Sequence, residues 1–251
     1  MSPAPARPGA DAGAYVRRTW LYLELRFNGA VTQTRMLRLA PNVLCVGYTR
    51  SMLAALWLRP APRRIGIVGL GGGAQAKFCH RHLRGARIEV VESDAGVLAL
   101  RDVFRIPPDD ARLAIAHGDG ADWLRQRRGA FDVLLVDAYD AGGIPAHLDN
   151  EGFYRLCREA LSADGVMAAN LYDTDLRAQQ GRLRAVFGRR HLLLPEPDMS
   201  NQVAFAWNGE PAPMPRARAL RALPWPARWQ LRASFERLAE AWLDRDSARR
   251  G

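Results

Sequence analysis

From residue 64 onward, short apolar runs alternate with stretches that have helical spacing of apolar residues. The apolar runs predict strands over 64–69, 87–92, 113–117, 131–137 and 166–171. The stretches between them predict helices near 74–82, 95–104, 121–127, 150–161 and 177–186. Strict alternation of strands and helices predicts a doubly wound, mostly parallel sheet with right-handed crossovers.

Two further strand-like runs follow over 190–194 and 202–207, separated by prolines and an asparagine. They are suited to an antiparallel hairpin at the edge of the sheet. The predicted fold class is therefore α/β, with a seven-stranded Rossmann-like sheet. We assign this sheet to a domain of its own over residues 61–208.

The N-terminal part of the chain has a different pattern. Residues 1–14 are rich in alanine, proline and glycine, and we expect them to be disordered. Polar and apolar residues alternate over 15–48, and Asn28-Gly29 between two such runs is a strong hairpin signal. The pattern predicts a small β-hairpin subdomain over residues 15–60.

Two more elements are predicted within that subdomain, and one beyond the main sheet. A short strand is expected over 43–47, followed by a helix over 49–58 that Thr49 caps. Residues 209–251 read as a proline-rich linker and a C-terminal helix. One face of that helix carries an apolar stripe, which predicts packing on the domain or on a partner subunit. The stripe consists of Leu231, Phe235, Leu238 and Trp242.

Charge and composition narrow the class of protein. The chain has 251 residues and a formal net charge of +10, which suggests a nucleic-acid partner. However, residues 89–151 hold thirteen of the 26 acidic residues and only six arginines. An acidic region of this kind is the opposite of what a binder of phosphate backbones needs, so nucleic acid is an unlikely partner.

Other classes are also disfavoured by the sequence. No apolar stretch is long enough to cross a bilayer, and the N-terminus lacks the apolar core of a secretory signal. Three widely spaced cysteines predict reduced thiols and a cytoplasmic location. No cluster of histidine and cysteine has metal-ligand spacing, so we predict no metal site.

Candidate chemistry lies where the strands end. A glycine turn follows the first strand and lets a ligand approach the backbone; its glycines are Gly69, Gly71, Gly72 and Gly73. Glu92 ends the second strand, where a carboxylate can accept hydrogen bonds from ribose hydroxyls. We expect Asp94 to cap the next helix, which leaves Glu92 free. Asp119, followed by Gly120, ends the third strand and can accept from an adenine amino group or cap the following helix.

The fourth strand end carries two carboxylates. The buried run 131–136 delivers Asp137 and Asp140 to its carboxyl end, with Tyr139 between them. Two acids and an aromatic ring are suited to hold a cationic amine, and one acid can take its proton. Ligands of open α/β sheets bind in the crevice outside such strand ends.

These four strand ends fit a sulfonium-nucleoside site better than a nicotinamide site. The sequence resembles the spermidine/spermine synthase (polyamine aminopropyltransferase) family over residues 20–207, and most closely its divergent bacterial spermidine synthase-like branch. The sheet of this family is of the methyltransferase type. The resemblance rests on Val31-Thr32-Gln33, Tyr48 through Leu53, and the runs IVGLGGGAQAKFCHRH, VVESD, HGDGADWL, FDVLLVDAYD and GFYRLCREAL.

The resemblance implies transfer of an aminopropyl group from decarboxylated S-adenosylmethionine to a di- or polyamine, with release of methylthioadenosine and without a metal. On the nucleoside side, it implies that Glu92 binds the ribose, that Asp119 lies near the adenine and that Gln33 contacts the nucleoside. The glycine turn and Gly120 complete this predicted cofactor-binding set.

On the amine side, the resemblance implies that Asp137 deprotonates the attacking amine and that Asp140 helps to hold it. The implied substrate-binding residues are Tyr48, Tyr139 and Asp140. A positioned carboxylate base has a clear role, because a protonated amine is not a nucleophile. The family resemblance also implies a homodimer.

The sequence departs from the family at several positions. Leu70 replaces a glycine of the turn, and Gly72 stands where the family has the acid that grips the donor's ammonium. Asn170 stands where a glutamine is usual. Two alternatives therefore stay open: an S-adenosylmethionine-dependent methyltransferase and a non-catalytic nucleoside-binding homologue.

Overall fold

A computed structural model describes residues 15–26, 32–139, 143–172, 174–197, 199–211 and 213–247. For Thr32, Gln33 and Asp246 it describes the backbone alone. The N-terminal strands are β1 (Tyr15–Arg18), β2 (Tyr22–Arg26) and β3 (Thr32–Leu37). They form an antiparallel sheet in the order β1-β2-β3, one strand more than the predicted hairpin. The predicted Asn28-Gly29 turn lies outside the described residues.

The segment after β3 differs from its prediction. No strand forms over 43–47: helix α1 (Gly47–Met52) takes the last of these residues, and the backbone N–H of Leu44 donates to the Gln230 side chain at 2.7 Å. The predicted helix 49–58 is instead α1 followed by a turn and then α2 (Ala55–Leu58). Thr49 lies inside α1 and does not cap it, since its hydroxyl donates to the Val46 carbonyl at 2.7 Å.

The predicted alternation of strands and helices is confirmed from residue 64 onward. The elements are β4 (Arg64–Val68), α3 (Ala74–His82), β5 (Arg87–Glu92), α4 (Ala95–Ala99), β6 (Leu113–His117), α5 (Gly120–Arg125), β7 (Phe131–Val136), α6 (Glu151–Ala160), β8 (Leu161–Leu171), α7 (Leu176–Phe187), β9 (His191–Pro195) and β10 (Gln202–Trp207). They build a seven-stranded sheet in the order β6-β5-β4-β7-β8-β10-β9. β10 is antiparallel to both of its neighbours, and the other pairings are parallel.

The centre of this sheet is covered on both faces. Val133 and Leu135 of β7 join one hydrophobic core, while Leu134 and Val136 join the other. Residues of α1, α2 and α3 belong to the first core, and residues of α5, α6 and α7 belong to the second. Strands buried on both faces read as continuous apolar runs, which explains why β7 is so apolar.

Two helices end the described part of the chain. They are α8 (Arg216–Arg221), which the proline-rich pattern did not predict, and α9 (Trp225–Ser247). The predicted stripe of α9 is buried in the first core, and α9 contacts α1 and β9. Within the described residues, no helix combines the length and the apolar composition that crossing a membrane requires.

Candidate active site

A cavity opens where β4, β5, β6 and β7 end side by side. Its lining includes most of the residues singled out from the sequence: Tyr48, Gly69, Gly71, Glu92, Asp119, Gly120, Asp137 and Tyr139. These strands are adjacent in the sheet, so their carboxyl ends meet at one edge. The topology therefore brings together residues that lie far apart in the sequence.

The glycine turn after β4 passes directly beside the end of β7. Gly69 has a φ of +91°, and a Cβ on it would lie 2.2 Å from the Asp137 carbonyl oxygen. Only glycine combines this conformation with this close approach. The turn then leads into α3 at Gly73.

Glu92 is held by the glycine turn and is not free as predicted. Its Oε2 accepts from the backbone N–H groups of Leu70 (2.8 Å) and Gly71 (3.4 Å), and its Oε1 accepts from Asp94 N–H (2.9 Å). Asp94 does cap α4, as predicted. Sequence reasoning missed the contacts of Glu92, because the turn and β5 meet only through the fold. Carboxylate oxygens have further lone pairs, so Glu92 can still accept from a ligand in the cavity.

Asp119 has two structural partners and still lines the cavity. Its Oδ1 caps α5 by accepting from Asp122 N–H at 2.9 Å, and its Oδ2 lies 2.7 Å from His147 Nε2. Burial alone would raise the pKa of Asp119, but these contacts outweigh it and lower the pKa. Asp119 is therefore ionised at neutral pH and can act as an acceptor. Its contact with His147 was not predicted.

Asp137 is the most strongly perturbed acid of the cavity. Its Oδ2 accepts from the Tyr48 hydroxyl at 3.1 Å, and its Oδ1 accepts from Asn170 Nδ2 at 3.0 Å. Part of its surface faces the cavity, but the side chain is otherwise enclosed by protein. This burial raises the pKa of Asp137 to about 6, and the negative charge of Glu92 adds to the rise. The two hydrogen bonds lower the pKa and offset only part of this effect. A carboxylate with a raised pKa is a better proton acceptor near neutral pH than an ordinary aspartate.

The other residues predicted on the amine side are placed differently. Tyr139 lines the cavity, but its hydroxyl donates to the Asn170 carbonyl (2.9 Å) and accepts from Tyr172 N–H (2.6 Å). Burial raises the pKa of Tyr139 well above its usual value, so the hydroxyl stays protonated. Asp140 lies outside the described residues, as does the side chain of Gln33, and their roles stay predictions.

Thr34 is a site residue that sequence reasoning missed. Its hydroxyl accepts from Gly72 N–H at 3.1 Å, and a Cβ on Gly72 would lie 2.3 Å from Thr34 Cγ2. The threonine thus fills the space that an acid at position 72 would need. Its position next to Gln33 was the one available signal.

Among the described residues, no group of three or more histidines, cysteines or acids is arranged to hold a metal ion.

A family model described as "Spermine/spermidine synthase domain" matches residues 48–179, more than half of the chain. The chain belongs to the spermine/spermidine synthase family. The matched region runs from Tyr48 into the first turn of α7 and contains Glu92, Asp119 and Asp137. It leaves β1–β3, β9, β10, α8 and α9 outside. The predicted family is therefore confirmed.

Curated relatives in this spermine/spermidine synthase family carry the name polyamine aminopropyltransferase. The protein of Neisseria meningitidis serogroup A is 35% identical over 175 residues, which cover 68% of the chain and 66% of the relative. That of Chromobacterium violaceum is 34% identical and is covered to 67%. The chain thus spans about two thirds of the length of these relatives.

Solved structures agree with the fold. A probable spermidine synthase from Corynebacterium glutamicum matches with a TM-score of 0.69 at 18% identity, over 87% of both chains. Human methyltransferase-like protein 13 in complex with SAH matches with a TM-score of 0.60 at 22% identity, over 76% of the chain and 93% of that structure. Spermine/spermidine synthases and methyltransferases therefore share this sheet, and the predicted fold class is confirmed.

Proposed function

We propose that this protein transfers an aminopropyl group from decarboxylated S-adenosylmethionine to a di- or polyamine and releases methylthioadenosine. The observation that carries the proposal is Asp137, a carboxylate with a pKa of about 6 in a cavity that Glu92 and Asp119 also line. Family membership and the names of the relatives support the same reaction.

The residues fit the steps of this reaction. An amine enters as an ammonium, and Asp137 accepts one of its protons. The nitrogen lone pair then attacks the methylene beside the sulfonium, the new C–N bond forms, and the electrons of the broken C–S bond move to sulfur. The sulfonium becomes the neutral thioether methylthioadenosine. Alignment of the amine and the methylene contributes through proximity.

We assign the nucleoside to the opposite side of the cavity. In this assignment Glu92, which is anchored on the glycine turn, accepts from the ribose hydroxyls, and Asp119, which caps α5, accepts from the adenine amino group. We assign Tyr139 and Tyr48 to the amine side, with Asp140 and Gln33 as further contacts predicted from the family.

Incubation of the purified protein with decarboxylated S-adenosylmethionine and a panel of diamines and polyamines tests this proposal. We expect one equivalent of methylthioadenosine for each aminopropylated amine formed, measured by chromatography and mass spectrometry. Absence of methylthioadenosine with every amine would overturn the assignment. A donor-induced rise of the melting temperature without turnover would favour a non-catalytic nucleoside-binding homologue.

A second candidate is methyl transfer from S-adenosylmethionine. Gly72 and Thr34 leave the glycine turn without the acid that would repel the carboxylate of that donor. In the same assay with S-adenosylmethionine, methyl transfer yields S-adenosylhomocysteine. Aminopropyl transfer remains the leading proposal, because a methyltransferase does not generally need a proton acceptor such as Asp137.

We also propose a cytoplasmic homodimer. Cys45, Cys79 and Cys157 are free thiols, which suits a reducing compartment. The dimer is proposed from the family resemblance. Sedimentation velocity at micromolar concentration distinguishes a dimer from a monomer, and a single monomeric species would contradict it.

A further inference from the structure

The C-terminal helix is tied by one side chain to the end of β9 and to α1. Arg237 of α9 donates to the Pro195 carbonyl (3.0 Å) and to Glu196 Oε1 (3.1 Å), at the end of β9. The same guanidinium also donates to the Ser51 hydroxyl of α1. One side chain of α9 therefore joins α1 to the connection between β9 and β10.

The two side-chain acceptors are more deeply buried than Arg237 itself, whose side chain is 26% exposed. The side chain of Glu196 is 3% exposed, and Ser51 is fully buried. A buried carboxylate needs a paired cation, because leaving it without one is strongly unfavourable. Arg237 meets this need and, with its planar fork, reaches three acceptors at once.

The connection held by Arg237 leads to Asp137 through two amides. The Asn201 carbonyl accepts from Glu196 N–H at 3.0 Å. The Asn201 side chain donates to Asn170 Oδ1 at 2.8 Å, and Asn170 donates to Asp137 Oδ1. An ionised carboxylate accepts only, so Asn170 must turn its NH₂ group to Asp137 and its oxygen to Asn201. Asn201 thus fixes the orientation of the amide that binds the acid.

The other contact of Arg237 leads to Asp137 through α1. Ser51 lies three residues after Tyr48 on this short helix, and the Tyr48 hydroxyl donates to Asp137. Glu196 packs against the start of the same helix, since a Cβ on Gly47 would lie 2.9 Å from its Oε2. Arg237 therefore contacts the helix that supplies Tyr48 and is linked to Asn170 through Glu196 and Asn201.

We propose that Arg237 is a positioning residue, which fixes Tyr48 through Ser51 and Asn170 through Glu196 and Asn201, so that both donors stay directed at Asp137. This inference rests on the proposed function for its catalytic meaning. It also gives α9, which lies outside the family match, a role in the site.

The expected sign follows from the groups that face Asp137. Tyr48 from α1 and Asn170 from β8 favour its ionised form, while burial and the charge of Glu92 from β5 oppose it. The nearby Tyr139 stays neutral. Weakening the hydrogen bonds from Tyr48 and Asn170 removes contributions that stabilise the ionised carboxylate and leaves those that oppose ionisation. The pKa of Asp137 therefore rises.

The test is a titration of Asp137 by carbon NMR on protein labelled at the aspartate carboxyl carbon, with Asp137→Asn identifying the signal. In Arg237→Met we expect the pKa to rise by about one unit, which corresponds to about a tenfold loss of the ionised form well below the pKa. Arg237→Lys keeps Glu196 paired and the fold intact, but an ammonium cannot reach all three acceptors. For Arg237→Lys we also expect the pKa of Asp137 to rise, so that the ionised form well below the pKa decreases by at least about threefold.

Asn201→Ala breaks the amide chain alone and is expected to raise the pKa in the same direction. Arg232→Met is the matched control, since Arg232 pairs with Glu236 on the exposed face of α9. An unchanged pKa of Asp137 in folded Arg237→Lys and Asn201→Ala overturns the proposal. The titration needs no turnover, so it decides the inference even if the wild-type protein forms no methylthioadenosine. Where turnover is present, the acidic limb of kcat against pH should move with the NMR pKa, whereas a merely structural loss lowers kcat equally at every pH.

Discussion

The Tyr48 hydroxyl donates a hydrogen bond to Asp137 Oδ2 across 3.1 Å, although the two residues are 89 positions apart. Tyr48 is the first residue of the family match, and Asp137 directly follows the buried strand β7. Burial raises the pKa of the Tyr48 hydroxyl well above its usual value, so it remains a donor over the whole working range of pH. The acid therefore keeps this hydrogen bond whenever it is ionised.

The first prediction concerns this hydroxyl. The reaction needs ionised Asp137, so kcat should rise with pH through a pKa of about 6 and level off above it. Tyr48→Phe removes a hydrogen bond that lowers this pKa, and the acidic limb should move to higher pH by about half a unit or more. The pH profile of kcat between pH 5 and 9 measures the shift.

Tyr154→Phe is a matched control for the loss of a hydroxyl. The Tyr154 hydroxyl donates to Gln179 Oε1 at 2.8 Å, away from the cavity. This variant should lose about 1 kcal/mol of stability and keep the wild-type limb. If the acidic limb of the kcat profile of Tyr48→Phe lies at the same pH as that of the wild-type protein, the hydrogen bond does not lower the pKa of Asp137.

The second prediction concerns Gly69. A methyl group there meets the Asp137 carbonyl oxygen, and φ is positive, so Gly69→Ala should lower the free energy of unfolding by about 2 kcal/mol or more. Gly181→Ala, inside α7 with open space around it, should instead stabilise by about 0.5–1 kcal/mol. Urea denaturation measures the free energy of unfolding of both variants. Equal changes in the two variants would contradict the geometry.

The third prediction concerns the missing acid of the glycine turn. Gly72→Asp should destabilise the protein, because the new side chain collides with Thr34. Thr34→Ala removes the colliding methyl group, so the double variant should recover about 1 kcal/mol or more relative to the sum of the single changes. A double-mutant cycle by urea denaturation measures this coupling, and strict additivity would show that Thr34 does not fill the space.

The fourth prediction concerns Lys77, the one lysine of the chain. Burial lowers its pKa from 10.5 to about 8, although its Nζ donates to the Phe104 carbonyl at 2.7 Å. Between these two values the unfolded chain binds more protons than the folded protein, so this lysine makes stability rise with pH. The rise is up to about 3 kcal/mol and is absent from Lys77→Met.

Urea denaturation of both proteins at pH 7, 8.5 and 9.5 measures this difference. Groups that do not interact with Lys77 contribute equally to both curves, so the comparison isolates Lys77 together with its electrostatic interaction with Cys45. We expect the wild-type protein to gain stability relative to Lys77→Met as pH increases. Parallel curves would show that burial does not lower the pKa of Lys77 in the folded protein.

The main sheet was predictable because its signals are local. The run 131–136 is buried on both faces, and its mostly apolar sequence predicts this burial. The stripe of α9 could be predicted in the same way from its helical spacing. Once the strands are predicted, their carboxyl ends are known as well. The sequence could therefore also predict that Glu92, Asp119 and Asp137 lie at one edge of the sheet.

The errors arise where distant contacts decide the outcome. Residues 43–47 lack regular strand pairing, and the backbone N–H of Leu44 instead donates to Gln230 Oε1 of α9 at 2.7 Å. Glu92 was expected to be free, but the glycine turn binds it. Hydrogen bonds between residues this far apart leave no periodic signal in the sequence.

The central claim is that Asp137 deprotonates an amine that attacks the donor. The most direct test is methylthioadenosine formation from decarboxylated S-adenosylmethionine and the best diamine, compared between the wild-type protein and Asp137→Asn. We expect turnover in the wild type and a loss of about 10²-fold or more in the variant. Asp102→Asn, an exposed aspartate away from the cavity, is the control and should retain full activity. Wild-type turnover in Asp137→Asn, with the donor still bound, would contradict the account.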